Sequence, residues 1–325
     1  MKALILAGGM GTRLRPLTNT RPKHLLPIAN RPHIEHVFDL LQRHGVDEVV
    51  LLTSYLAEAF ETTVGQAASR GLAVHVTHEE EPLGTAGALR NAEEFASDGT
   101  FLVFNGDVLM DIDLGEVLEF HRDRGAEATI VLTPVDDPSA YGVVPTEQGG
   151  RVLGFIEKPP RDEATTNLIN AGIYVLEPSV LERIPRGEVW SAERQLFPGL
   201  VEEGARLFAV AAESYWMDIG TPEKFLQANL DALSGRYRDA QLPELTGGSL
   251  IGEGAKIDGD AQVSSASIGE DAEIEAGAVV EESVLMPRAV VEAGAIVRRS
   301  ILGEASIASK DATLIGITLE DNTKT

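Results

Sequence analysis

Cysteine is absent from this sequence, and lysine and aromatic residues are scarce. Its 325 residues include seven lysines against twenty arginines, and only 5% are aromatic. Without cysteine, the chain can form neither a disulfide framework nor a thiolate site. No apolar run approaches the roughly 20 residues that span a membrane, and the chain begins with an apolar strand, which predicts that no signal peptide precedes it. These absences together predict a cytoplasmic protein.

Positive charge is also in short supply. Aspartate and glutamate number 51 against 27 for lysine and arginine, so the formal net charge is −24. A surface of this charge repels nucleic acids and anionic membranes, and we expect neither as a partner. Clustered cations therefore stand out against the rest of the chain.

Such a cluster follows an apolar run at residues 2–7. Guanidinium and ammonium groups suit phosphate oxygens, and glycines let backbone N–H groups close on an anion. The stretch lacks the Gly-Lys-Ser/Thr ending of the P-loop, and Leu14 stands where the dinucleotide fingerprint needs its third glycine. It therefore predicts a polyphosphate site of another kind. Its glycines and cations are Gly8, Gly9, Gly11, Arg13, Arg15 and Lys23.

Apolar runs and amphipathic segments alternate over the first 235 residues. This alternation predicts an α/β fold with a Rossmann-like, mostly parallel sheet flanked by helices. Ligands of such sheets bind at the carboxyl ends of strands. Asp107 follows one of these strands, a suitable place for a carboxylate that binds Mg²⁺. After the first run, strands are predicted at 47–53, 72–78, 100–106, 127–135, 151–157 and 171–176, and helices at 32–44, 55–68, 85–96, 114–124 and 222–234.

Three consecutive glutamates at positions 79–81 precede a Pro-Leu-Gly turn. A run of like charges is usually a solvated loop, and we expect this of at least two of them. A carboxylate only accepts hydrogen bonds, and the pairing edge of guanine offers two adjacent donors. The hypothesis is that Glu79 or one of its neighbours, Glu80 and Glu81, reads guanine.

The sequence changes character after residue 249. Short units that open with an aliphatic residue repeat in a six-six-five rhythm, so that Ile251, Ile268, Leu285 and Leu302 are each 17 residues apart. This spacing predicts a parallel β-helix of hexapeptide repeats, in which equivalent residues stack from coil to coil. Three full coils and part of a fourth fit the sequence.

The two patterns predict two domains. Residues 236–248 follow neither pattern and are predicted to be a linker between a domain at 1–235 and a β-helix domain at 249–325. An exposed end coil leaves an unpaired strand edge. We therefore expect the β-helix to pack on the first domain or on another subunit, and we expect a homo-oligomer.

The chain resembles the sugar-1-phosphate nucleotidylyltransferases. Two N-terminal segments match the family signature, LAGGMGTRLRPLT and RPKHLLPIANRP. Later segments agree in order: EEEPLGTAGAL, FNGDVL, YGVV, FIEKP, NAGIYVLEP and YWMDIGTP. The resemblance covers roughly residues 1–235, and among the subfamilies the chain is most similar to the mannose-1-phosphate guanylyltransferases. It implies an enzyme that joins GTP and mannose 1-phosphate into GDP-mannose and pyrophosphate, and the repeats resemble left-handed β-helices.

The resemblance also implies roles for single residues. Arg13 would hold the β- and γ-phosphates, Lys23 would stabilise the transition state at the α-phosphate, and Asp107 and Asp218 would bind Mg²⁺, so these four are the candidate catalytic residues. The candidate nucleotide ligands are Leu6, Ala7, Gly8, Gly9, Gly11, Thr12, Arg13, Lys23, Glu79, Gly84 and Asp107. The candidate sugar-phosphate ligands are Gly142, Glu157, Lys158 and Asn170.

Other functions stay open at this point. The nearest alternative is a thymidylyltransferase or uridylyltransferase that acts on glucose 1-phosphate, because sugar and base choice depend on pocket shape. A non-catalytic regulatory relative is disfavoured because all four candidate catalytic residues are present. An acyltransferase in the repeats is disfavoured because such enzymes typically use a histidine, and all seven histidines lie between His24 and His121.

Overall fold

Strands and helices alternate over the first two thirds of the chain in the computed structural model, which describes all 325 residues. The strands are β1 Lys2–Leu6, β2 Glu48–Thr53, β3 Ala73–His78, β4 Phe101–Asn105, β5 Val108–Met110, β6 Ala128–Pro134, β7 Gly142–Val143, β8 Ile156–Glu157, β9 Leu168–Leu176, β10 Leu207–Ala211 and β11 Trp216–Asp218. The helices are α1 His33–Arg43, α2 Glu61–Ser69, α3 Gly84–Asn91, α4 Leu114–Asp123, α5 Phe197–Glu202 and α6 Pro222–Leu233. Two short strands, Pro27–Ile28 and Arg31–Pro32, pair with each other.

Nine of these strands form one sheet, in the order β8-β7-β9-β4-β1-β2-β3, with β6 on β9 and β10 on β6. Strands β4, β1, β2 and β3 run parallel. Strand β9 runs antiparallel to β4, β6 and β7, and β10 is parallel to β6. Strands β5 and β11 form a separate two-stranded sheet. The predicted Rossmann-like, mostly parallel sheet is confirmed.

Most predicted elements are confirmed, but the strand predicted at 151–157 is wrong over its first five residues. Only Ile156–Glu157 forms a strand there. Arg151 bridges to Phe208, whereas Val152 bridges to Thr146. Residues 151 and 152 form only single bridges and residues 153–155 belong to no strand, so the segment is not one continuous strand. Strand β10 and helix α5 have no counterpart among the predicted elements.

The chain falls into two compact units that are discontinuous in sequence. The first unit comprises Met1–Gly9, Phe38–Val108 and Ile112–Trp216. The second comprises Met10–Val37, Leu109–Asp111 and Met217–Thr325. The large sheet therefore belongs to the first unit. The predicted linker at 236–248 lies inside the second unit, where Tyr237 and Ala240 are buried.

Each unit has its own apolar core. In the first unit, aliphatic residues of the parallel strands, such as Leu4, Val50 and Val103, are buried together with Tyr174 and Phe197. The continuous apolar runs of these strands follow from burial on both faces of the sheet. None of the helices combines the length and hydrophobicity that a membrane crossing needs.

The core of the second unit includes the repeats, which form a parallel β-helix with three faces. Ile251, Ile268, Leu285, Leu302 and Leu319 stack in register, each on the residue 17 positions away. One face has five strands and the other two have four each. Four full coils and the start of a fifth are therefore present, one coil more than the sequence predicts. The faces consist of Leu250–Ile251, Ser267–Ile268, Val284–Leu285, Ile301–Leu302 and Thr318–Leu319; of Lys256–Ile257, Glu273–Ile274, Val290–Val291 and Ile307–Ala308; and of Gln262–Ser264, Val279–Glu281, Ile296–Arg298 and Thr313–Ile315.

The β-helix also contacts residues 19–30, which the sequence assigns to the first predicted domain. Asn19 and Thr20, for example, donate hydrogen bonds to Glu320 and Asp321. Both partners of these contacts belong to the second unit. The predicted packing of the β-helix on the first predicted domain is therefore confirmed.

Candidate functional site

The carboxyl ends of β1, β2 and β4 meet at one edge of the sheet in the first unit. Leu6 pairs with Leu52 and with Asn105. Beyond the last pair, the Ala7 N–H donates to the Leu52 carbonyl at 2.8 Å, and the Gly106 N–H donates to the Leu6 carbonyl at 3.0 Å. These bonds fix the backbone at the end of β1, where the predicted ligands at positions 6–9 begin.

The next residues at this edge carry polar groups. The Ser54 hydroxyl donates to the Gly8 carbonyl at 2.7 Å and so holds the start of the glycine stretch. Asp107 follows β4 by two residues and is partly exposed. The amide oxygen of Asn105 is buried without a hydrogen-bond partner. A partly exposed carboxylate at the end of a central strand is well placed to meet a ligand.

The structure separates the three glutamates. Glu79 is only 8% exposed, whereas Glu80 and Glu81 are exposed. One carboxylate oxygen of Glu79 accepts a bond from the Leu83 N–H at 3.3 Å, and the other is buried without a partner. Burial raises the pKa of the Glu79 carboxyl, with the Leu83 N–H acting in the opposite direction. Glu79 is therefore the only one of the three that offers a buried, unused acceptor.

Gly84, the predicted ligand that follows the glutamates, opens α3. The first turn of this helix is fixed from outside. The N–H groups of Ala86 and Gly87 both donate to the Trp190 carbonyl, at 2.9 and 3.0 Å. In return, the Trp190 N–H donates to the Leu83 carbonyl at 2.8 Å. The segment from Glu79 to α3 is thus held at both of its ends.

Two of the predicted sugar-phosphate ligands face each other across a strand pair. Gly142 of β7 pairs with Glu157 of β8. Lys158 directly follows in a left-handed conformation with φ at 52°, and its N–H donates to the Tyr141 carbonyl at 3.0 Å. Its ammonium group lies 3.6 Å from the Glu157 carboxylate, and its side chain is 60% exposed. An exposed ammonium group beside a carboxylate can exchange part of that contact for a phosphate.

The fourth predicted ligand, Asn170, lies in β9 where the pairing with β6 shifts register. Its amide group donates to the Tyr174 hydroxyl at 2.7 Å and accepts from the Gly172 N–H at 2.9 Å. Nearby, the Trp216 indole donates to the Ala171 carbonyl at 2.9 Å. Asn170 is therefore fixed in orientation by its own strand.

The cationic half of the predicted site lies in the second unit. Gly11 has φ at +62°, a left-handed conformation that side chains rarely adopt. Its carbonyl accepts from the Leu14 N–H at 2.9 Å and from the Thr18 hydroxyl at 2.8 Å, which closes a short 3₁₀ turn over Thr12–Leu14. A Cβ atom at position 11 would lie 3.2 Å from the Cβ atom of Lys23. The glycine turn thus packs directly against the residue that carries the predicted catalytic ammonium group.

Arg13 and Asp218 come together at Gly220. A Cβ atom at position 220 would lie 3.1 Å from a guanidinium nitrogen of Arg13 and 3.5 Å from a carboxylate oxygen of Asp218. The other carboxylate oxygen of Asp218 forms an ion pair with Lys224 of α6. Sequence reasoning missed Lys224, although the scarcity of lysine, with only seven in the chain, was a usable signal.

The two predicted metal ligands are carboxylates from different units, Asp107 from the first and Asp218 from the second. No group of three or more histidine, cysteine, aspartate or glutamate side chains is arranged to hold a metal ion. Mg²⁺ is usually bound by one or two carboxylates together with substrate phosphates and water. Asp107 and Asp218 each offer carboxylate oxygens, the kind of ligand that Mg²⁺ takes from proteins.

Comparison with known families matches almost the whole chain. The nucleotidyl transferase family matches residues 2–235. The GMPPB C-terminal domain family matches residues 245–321. These two ranges leave residues 236–244 between them.

Named relatives agree with these matches. The chain is 39% identical over 283 residues to a mannose-1-phosphate guanylyltransferase of Mycobacterium tuberculosis, covering 81% of this chain and 78% of that protein. It is 41% identical over 266 residues to mannose-1-phosphate guanyltransferase beta-B of Xenopus laevis, covering 79% and 73%. It is also 39% identical over 256 residues to a UTP–glucose-1-phosphate uridylyltransferase of Synechocystis, covering 75% and 66%.

A solved structure shares the fold of the N-terminal part. HddC from Yersinia pseudotuberculosis complexed with GMP-PN superposes with a TM-score of 0.61 at 30% identity, covering 70% of this chain and 97% of HddC. HddC therefore spans less of this chain than the two family matches together.

Proposed function

This chain belongs to the nucleotidyl transferase family, and on that premise we propose that it transfers the guanylyl group of GTP to mannose 1-phosphate. The products are GDP-mannose and pyrophosphate. The observation that carries the choice of GTP is the buried Glu79 carboxylate, with one oxygen unused. The guanylyltransferase names of the relatives support both substrates.

The proposed reaction needs no general base. A phosphate oxygen of mannose 1-phosphate attacks the α-phosphorus of GTP in line, and the bond from that phosphorus to the bridging oxygen of the β-phosphate breaks. A phosphate monoester is largely dianionic at neutral pH, because its second pKa is about 6. Catalysis then depends on positioning and on charge neutralisation. This requirement matches a site built from glycines, cations and carboxylates.

The cations of the second unit have distinct proposed roles. Arg13 holds the β- and γ-phosphates, with Asp218 orienting its guanidinium group from across Gly220. Lys23 lies at the α-phosphate and stabilises the charge that develops in the transition state. Backbone N–H groups of the stretch from Leu6 to Thr12 receive phosphate oxygens.

Nucleotidyl transferases of this family use a divalent metal, and we assign Mg²⁺ to this chain. Asp107 and Asp218 are its proposed protein ligands. When bound, the ion would neutralise charge on the leaving pyrophosphate. Lys224, which pairs with Asp218, holds this carboxylate in a fixed orientation.

Base and sugar recognition are assigned to the first unit. Glu79 accepts hydrogen bonds from the two adjacent donors of guanine, and Gly84 lies beside it at the start of α3. Gly142, Glu157 and Asn170 receive the sugar hydroxyls, and the exposed ammonium group of Lys158 receives the sugar phosphate.

The second candidate is a uridylyltransferase or thymidylyltransferase for glucose 1-phosphate. The Synechocystis relative supports it, because it is as similar to this chain as the mycobacterial one. Uracil and thymine offer a single donor between two carbonyls. One oxygen of a buried carboxylate would then face a carbonyl oxygen, and because neither can donate, both lose a hydrogen bond and binding is weakened. Glu79 therefore favours GTP.

A substrate grid tests the proposal. The protein is incubated with Mg²⁺ and each of GTP, dTTP, UTP, ATP and CTP, against mannose 1-phosphate and glucose 1-phosphate, and pyrophosphate release is followed. We expect GTP with mannose 1-phosphate to lead by a wide margin. A lead for UTP or dTTP with glucose 1-phosphate would establish the second candidate, and no turnover in any combination would favour a regulatory relative.

We further propose a catalytic domain at 1–235, a linker at 236–248 and a β-helix domain at 249–325. The end strands of the five-stranded face, Leu250–Ile251 and Thr318–Leu319, each pair on one side only, which supports a homo-oligomer that covers such an edge. Light scattering that shows a monomer would contradict the oligomer. The cytoplasm is the proposed compartment, because nucleotide sugars are made from nucleoside triphosphates.

A further inference from the structure

The β-helix binds three consecutive residues that lie between Arg13 and Lys23 in sequence. Asn19 donates to Glu320 at 2.6 Å, and Thr20 donates to Asp321 at 2.6 Å. The guanidinium group of Arg21 lies 2.5 Å from Glu304 and 2.7 Å from Asp321. All of these residues belong to the second unit. We call this set of contacts the acidic anchor.

The carboxylates of the acidic anchor are themselves held in place. Asp321 has a side chain only 4% exposed, and its second oxygen accepts from the Glu304 N–H at 2.8 Å. Glu304 is also paired with Arg288 in the β-helix. A network of partly buried charges fixes geometry better than an isolated surface pair, which is worth little. Arg21 therefore meets a preformed acidic site, and the Nε–H of Arg21 is buried as well.

The same segment is bound to the β-helix a second time, nine residues later. Asn30 donates to the Ile268 carbonyl at 2.6 Å and accepts from the Ser267 hydroxyl at 2.9 Å. Asn30 has φ at 59°, which asparagine tolerates better than most residues. Just before it, the Ala29 N–H donates to Asn229 of α6 at 2.8 Å. We call these contacts the asparagine anchor.

Lys23 lies between the two anchors. It opens the 3₁₀ turn Lys23–Leu25 two residues after Arg21, and Gly11 packs against its Cβ atom. The β-helix thus holds the short segment that carries the proposed catalytic ammonium group at both ends, through Arg21 and through Asn30.

We propose that the β-helix is part of the catalytic machinery, and that Arg21 and Asn30 are positioning residues for Lys23. This inference rests on the proposed function, because it concerns the same nucleotidyl transfer. A displacement of about 1 Å in a positioned group can lower the rate roughly 100-fold. Loss of an anchor should therefore lower kcat and leave the KM for the nucleotide nearly unchanged.

The test compares Arg21→Ala, Asp321→Ala, the double variant, Asn30→Ala and the conservative variant Arg21→Lys. Arg299→Ala is the matched control, because it removes a 2.8 Å ion pair with Glu282 within the same β-helix. Steady-state kinetics use whichever nucleotide and sugar phosphate the unmodified protein turns over. Hydrogen exchange of the backbone amides at 19–28 is measured on each full-length variant, with its melting temperature.

We expect Arg21→Ala and Asp321→Ala each to lower kcat roughly 10- to 100-fold, with faster amide exchange at 19–28. The double variant should be no slower than the worse single variant, because both remove one interaction. Arg21→Lys should keep most of the kcat, and Arg299→Ala should match the unmodified protein in both readouts.

Unchanged kcat in the folded Arg21→Ala and Asn30→Ala variants would overturn the proposal, and so would an equal fall in Arg299→Ala. Multiplicative losses in the double variant would also contradict it. An unmodified protein that turns over no substrate would refute the proposed function instead. In that case, hydrogen exchange still tests whether Arg21 holds the segment in place. Unchanged exchange at 19–28 in Arg21→Ala would overturn that claim, and faster exchange would support it.

Discussion

The two units differ in the kind of candidate residue that each of them carries. The first unit supplies mainly hydrogen-bond acceptors for base and sugar, such as Glu79, Glu157 and Asn170. The second unit supplies the cations Arg13 and Lys23 together with the β-helix that anchors their segment. According to the proposed roles, the first unit acts mainly in substrate choice and the second unit mainly on the phosphates of the nucleotide.

This division has a physical consequence for mutations. Groups aimed at charge that develops in the transition state contribute several kcal/mol to the rate. Groups that read a base by hydrogen bonds contribute about 1–3 kcal/mol each, and only for the matching base. Changes in the second unit should slow every substrate pair, whereas changes in the first unit should alter the preference among them.

The largest effect is expected for Lys23→Ala. Loss of one charge at the α-phosphate should lower kcat roughly 100- to 1000-fold, with a smaller change in KM. The fall should be similar for every nucleotide that the enzyme accepts. Pyrophosphate release measures it, and Lys310→Ala, which removes an exposed lysine, is the control. A rise in KM with unchanged kcat would contradict the role of Lys23.

The next effect concerns the carboxylates, one from each unit. Asp107→Asn and Asp218→Asn should each raise the Mg²⁺ concentration for half-maximal activity roughly tenfold or more, since each removes an anionic ligand. This pair sharpens the comparison, because each unit carries one of the two proposed metal ligands. A Mg²⁺ titration measures the effect, with Asp123→Asn at an exposed position as control. Equal metal dependence in all three variants would contradict the assignment.

A smaller effect, and one confined to substrate choice, is expected for Glu79→Gln. Its kcat/KM for GTP should fall roughly 10- to 100-fold relative to that for UTP or dTTP, because one acceptor of the carboxylate becomes a donor. Glu80→Gln and Glu81→Gln, at exposed positions, should leave the preference unchanged. An unchanged preference among nucleotides in Glu79→Gln would contradict the proposal that Glu79 recognises the base.

The smallest effect is on stability. Burial raises the pKa of the Glu79 carboxyl above its ordinary value, so the folded protein binds this proton more tightly than the unfolded chain. The contribution of Glu79 to stability therefore falls as the pH rises through the interval between the two pKa values. The melting temperature of ligand-free Glu79→Gln, relative to the unmodified protein, should be higher at pH 7 than at pH 4. The opposite trend would contradict the burial argument.

What the sequence predicts well in this protein depends on local spacing. The stacking of Ile268, Leu285 and Leu302 follows from a period of 17 residues, since each partner is set by the neighbouring coil. The helix at 32–44 follows from the spacing of its apolar residues, and Ile34, Phe38 and Leu41 are buried as expected. The number of coils is the part of the repeat that the sequence analysis underestimates, by one.

What the sequence does not predict depends on distant partners. The reversal of β9, the pairing of β10 with β6 and the ion pair of Arg21 with Asp321 each join segments that no local pattern relates. The choice of Glu79 from three glutamates depends on burial alone. The roles of the candidate site residues remain predictions, because they rest on the family resemblance.

The ion pair between Arg21 and Asp321 joins residues that are 300 positions apart. At about 5–20 residues per second, a ribosome needs about 15–60 s to add Asp321 after Arg21. Throughout that interval the acidic anchor cannot be completed, and only the asparagine anchor, formed with residues 229, 267 and 268, is able to hold the segment. From the proposed role of the acidic anchor, we expect a nascent chain to reach its full activity only after Asp321 has been added.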